Sequence, residues 1–91
     1  MFKSIEAEFA YFNALSTAKG TVRRCTRNAW INGLKQGCPW QVLIEAVLWE
    51  ISEIIIEDFA EFAGDSHGQE CISELTNVLK QELDELATLQ N

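Results

Sequence analysis

The sequence predicts an all-α fold: a compact bundle of about four helices, near 4–18, 21–36, 39–63 and 66–89, with short connections. Three observations carry this. Apolar residues recur at spacings of three and four along nearly the whole chain, which places them on one face of a helix. No segment alternates apolar and polar residues for long enough to make a strand. The chain has 91 residues, 47% of them hydrophobic and 23% charged, with a single proline. That is an ordinary globular balance in a length that suits one domain, 1–91.

Each element has its own signals. In the first, Ile5, Phe9, Phe12 and Leu15 make an apolar stripe, Ser4 suits the N-cap, and Gly20 suits a terminator. In the second, the small residues Cys25, Ala29 and Gly33 recur every four, so that another helix can approach closely, and Gly37 closes the run. The third opens at Pro39, whose fixed φ and missing N–H fit a first helical position, and closes at Gly64. Its stripe is Ile44, Leu48, Ile51, Ile55, Phe59 and Phe62. The fourth opens at Ser66 with Gln69 in capping-box register, and its apolar face is Ile72, Leu75, Leu79, Leu83 and Leu86.

The third helix is apolar over nearly two-thirds of its circumference, whereas a surface helix needs a sector of only about 100°. Leu43, Val47 and Ile54 form one shoulder beside the main stripe; Val42, Trp49 and Ile56 form the other. One reading surrounds this helix with the other three. The other makes a shoulder (Trp49 with Ile56, or Val47 with Ile54) the interface of a homodimer or of a partner complex, because large apolar patches are rarely left open on soluble monomers.

Charge divides the chain. The net charge is −7. Residues 1–38 hold six bases against two acids, whereas 39–91 hold Lys80 alone against twelve acids. So acidic a second half disfavours direct nucleic-acid binding. Three cysteines without a CxxC pair support neither a disulfide framework nor a zinc module. The opening residues lack the apolar run of a signal peptide, and no apolar stretch approaches the roughly 20 residues of a membrane span, so a cytoplasmic protein with reduced thiols is expected.

Glu50, Glu53, Glu57 and Glu61 form an acidic ridge, either a solvated face or a surface for a basic partner that imitates a row of phosphates. Glu-x-x-His units and EF-hand loops are missing. His67 and Cys71, four apart, lack a third ligand for a metal and a third group for a catalytic thiol. Glycine-rich phosphate loops and nucleophile elbows do not occur. The basic cluster Arg23, Arg24 and Arg27 lies beside Trp30, as in a phosphate grip, or else pairs with the acidic helices. A helix-turn-helix would use the third helix for recognition, yet that helix has no base.

These readings lead to a small acidic protein that is not an enzyme, needs no metal or cofactor, and acts by presenting a helical surface to a protein partner. The alternative is an inhibitor of a nucleic-acid-handling or defence enzyme, of the phage-encoded anti-restriction or anti-CRISPR type, with the acidic ridge standing in for phosphates.

Overall fold

The computed structural model describes residues 4–58 and 66–90 and contains three helices: α1 (Ile5–Lys35), α2 (Trp40–Asp58) and α3 (Ser66–Gln90). They pack pairwise into an elongated bundle measuring 49 × 21 × 16 Å. At 1.5 Å per residue α1 alone is about 46 Å long and sets the long dimension.

The first two expected helices are one. Gly20 lies inside α1, exposed, and a Cβ there would meet nothing. A solvent-facing glycine costs only about 1 kcal/mol relative to alanine, too little to end a helix whose flanks are helical. Both real ends of α1 are capped. Ser4 has extended backbone angles, and its Oγ accepts from the Ala7 N–H at 3.1 Å. At the other end Gly37 takes φ +84°, a left-handed conformation that glycine adopts without strain. The Gly37 N–H donates to the Leu34 carbonyl and the Cys38 N–H to that of Gly33, both at 3.0 Å. These two bonds are the Schellman closure. Pro39 then supplies the carbonyl that accepts the first α2 bond, from the Leu43 N–H at 3.1 Å. The helix therefore starts one residue after the expected position.

Ion pairs fix the register of α1 against α3. Lys19 pairs with Glu74 at 3.1 Å, and Arg27 pairs with the buried carboxylate of Glu82. The partners are 55 residues apart in both cases, so the two helices run parallel in constant register with α2 antiparallel between them. Ile5 and Phe9 precede the part of α1 that α3 accompanies, and they are exposed, as is Phe12. Of the expected first stripe only Leu15 is buried.

The core unites Leu15, Val22 and Trp30 of α1, Leu43, Val47, Ile51 and Ile55 of α2, and Leu75, Val78, Leu79 and Leu83 of α3. The α2 face is rotated from the expected stripe. Leu43 and Val47 occupy the centre, while Ile44 and Leu48 are half-buried beside it. The reason is contact with Gly33, where α1 presents no side chain and Leu43 packs directly over its Cα. Phe59, Phe62, Glu61 and the expected helix end at Gly64 lie outside the described residues. The buried Thr26 hydroxyl donates to the Val22 carbonyl at 2.7 Å, which satisfies it within its own helix.

Candidate interaction surface

With three helices, α2 has two neighbours and an uncovered outer side. Val42, Trp49 and Ile56 lie there at intervals of seven, 55%, 72% and 56% exposed. The opposite shoulder divides. Val47 is 2% exposed and belongs to the core, so its expected place on an interface is corrected. Ile54 stays 41% exposed at the lip of a groove between α1 and α2.

That groove runs along much of the α1–α2 seam. One section, about 500 Å³, has Ala14, Thr21, Ile51 and Ile54 among its walls; the next carries on past Asn28 and Glu50. Cys25, Ile51 and Ile54 line both sections, so they mark its middle.

The acidic ridge holds its place in part. Glu50, Glu53 and Glu57 are all exposed on α2, which has no base; Glu61 lies outside the described residues. The basic cluster does not act as one group. Arg27 is committed to Glu82 across the α1–α3 seam, while Arg23 and Arg24 are exposed. Trp30 is not beside them as a stacking platform but is 2% exposed in the core. Spacing alone does not separate the two roles, since Trp30 and Arg27 share a broad mixed face of the same helix.

The cysteines are free and differ in environment: Cys25 exposed, Cys38 half-buried, Cys71 buried. Cys71 sits in the second turn of α3. Burial raises its thiol pKa, the nearby Glu74 charge raises it further, and Lys19 opposes both. A thiol so disposed stays protonated at neutral pH and is a poor nucleophile. The side chain of His67 is not among those described. Among the described residues no three His, Cys, Asp or Glu side chains converge as metal ligands, and no helix is long and apolar enough to cross a membrane.

The fold and surface define an all-α three-helix bundle with an apolar stripe and an acidic ridge on one helix. No family model, curated protein or solved structure matches the chain.

Proposed function

We propose that this chain is a non-enzymatic interaction protein that acts as a homodimer and presents α2 to a protein partner. The observation that carries the reading is the outward stripe Val42, Trp49 and Ile56. Trp49 contributes nothing to the core at 72% exposure, and large aromatic side chains of this kind often anchor protein interfaces. The glutamates beside the stripe would form its polar rim and select a partner surface with complementary basic residues.

The exposed row Glu50, Glu53 and Glu57, on a helix without a base, supports the second reading, an inhibitor that imitates phosphates. One comparison separates the two. The partner would be captured from the source cells, purified, and titrated with wild type, Trp49→Asp and the double reversal Glu53→Lys, Glu57→Lys. The first reading expects Trp49→Asp to lose about a hundredfold in affinity with an unchanged melt, within the range for an interface anchor. It also expects binding to survive raised salt. Loss confined to the reversal, with competition by a DNA duplex and a steep salt dependence, would transfer the function to the ridge.

A further inference from the structure

We infer that the α1–α2 groove is the dimer interface, occupied by the same face of a second copy whose two-fold axis runs along the groove. This rests on the homodimer part of the reading above; it shares Glu53 with the rim of the partner site but does not involve Trp49.

The two helices that form the groove carry opposite charge, and the charged residues that line it, Glu50 and Asp58, belong to α2. From Asn13 to its end at Lys35, α1 has Lys19, Arg23, Arg24, Arg27 and Lys35 and no acid. Throughout its length α2 has Glu45, Glu50, Glu53, Glu57 and Asp58 and no base. Lys19 and Arg27 are paired with α3. Arg24 is exposed and neighbours the groove residues Thr21 and Asn28, three and four positions away on the helix. Glu53 likewise sits one turn from the lining residue Glu50.

Two arrangements can seat one such face on another. An axis across the groove stacks α1 on α1 and α2 on α2, which sets base on base and acid on acid. An axis along the groove stacks each α1 on the other copy's α2, which opposes unlike charges along both seams. Rotation about that axis also preserves height. Cys25 and Ile51 are level at the middle of the groove, so Arg24 of one copy comes level with the Glu50–Glu53 turn of the other. Rim charges of this kind select orientation more than they supply affinity. The affinity comes from the apolar floor and from Ile54, the partly exposed residue at its lip, which a second copy would cover. The small residues Ala14, Ala18, Thr21 and Cys25 on α1 allow the close helix approach that this needs. The product is a central four-helix layer in which every neighbouring pair is antiparallel.

The test is sedimentation equilibrium on the whole chain at tens of micromolar, with a circular-dichroism melt of every variant. Wild type should sediment at twice its 10.3 kDa chain mass. Arg24→Glu and Glu53→Arg should each weaken the dimer about tenfold, and the two together should restore it, because the swap exchanges the signs of the rims. Ile54→Asp should give a monomer, and Trp49→Asp should leave the dimer intact. As a check that uses no variant, alkylation of Cys25 located by mass spectrometry should slow as protein concentration rises. A monomeric wild type overturns the proposal, as does a double swap no better than its singles or a dimer lost with Trp49→Asp but kept with Ile54→Asp. Those outcomes leave the Trp49 partner site standing, since that site is read by partner titration.

Discussion

Two glycines of one helix answer to different physics. Gly20 faces solvent with open space around its Cα, so Gly20→Ala should raise stability by about 0.5–1 kcal/mol through helix propensity. Gly33 lies under the Leu43 side chain, whose Cγ would be 3.2 Å from an added Cβ. There the propensity gain is offset by displacement of a buried leucine, and Gly33→Ala should cost about 1–3 kcal/mol net, as overpacked cores do. Urea melts of the pair check the signs; two stabilising alanines would mean that Leu43 repacks freely. Charged residues divide similarly. Arg24 is exposed and its removal should cost under about 0.5 kcal/mol in a monomer. Arg27→Ala leaves the buried Glu82 carboxylate without its cation and should cost about 2 kcal/mol, because an unpaired buried charge is penalised heavily. The sequence allowed pairing of the arginines with acidic helices, but only the packed register shows that Arg27 alone reaches a buried acid. Cys71 adds a pH effect. Its pKa is raised in the folded chain, so its contribution is complete below the unfolded thiol pKa and declines as pH rises through that value toward the folded one. Stability should therefore fall in alkali above about pH 9, and Cys71→Ser should remove that component from the pH profile of urea melts.

At the scale of elements, the decisive feature is the continuity of α1 through Gly20. A proline at position 20 discriminates directly between one helix and two. In a turn it would be tolerated; inside a helix it removes the N–H bond to the carbonyl four residues back and clashes there, at a cost of about 3 kcal/mol. The expected result for Gly20→Pro is thus a large loss of helical ellipticity and melting temperature, the reverse of Gly20→Ala. Local signals served well where they were unambiguous: Ser4 caps α1, Gly37 ends it, and Pro39 precedes α2 by one residue. They failed at Gly20 because a glycine marks a helix end only when its left-handed conformation is used, and the sequence does not reveal φ. The orientation of α2 was also out of reach. Its apolar sector is so wide that periodicity names a stripe without naming its centre, and the centre was set by the absence of a side chain at Gly33 on another helix. Val42, Trp49 and Ile56 stand opposite the buried row; the spacing grouped them as a shoulder without telling which of the two shoulders the fold would leave exposed.

For the whole molecule, the energetic question is whether the long α1 melts with the rest. The core draws on all three helices, and Leu75 and Leu79 at its centre are fully buried. Neither α1–α2 nor α1–α3 alone retains that centre, so the bundle should unfold as one unit, with fraying confined to the stretch around Ile5 and Phe9. A domain of this size has a total stability of about 5–14 kcal/mol by the usual per-residue range. Leu79→Ala should remove about 2–5 kcal/mol of it, a large share, because a buried leucine loses both its transfer energy and its packing. Trp30 is buried, Trp40 is half-buried against the core and Trp49 is exposed, so the red shift on unfolding comes mainly from Trp30 and Trp40. In a Trp49→Phe background, fluorescence and far-ultraviolet circular dichroism should therefore trace the same transition. Leu79→Ala should move both curves together to lower denaturant. If the fluorescence transition came first while most of the ellipticity persisted, α1 would be stable without the core, and its continuity would derive from local propensity rather than from packing against α2 and α3.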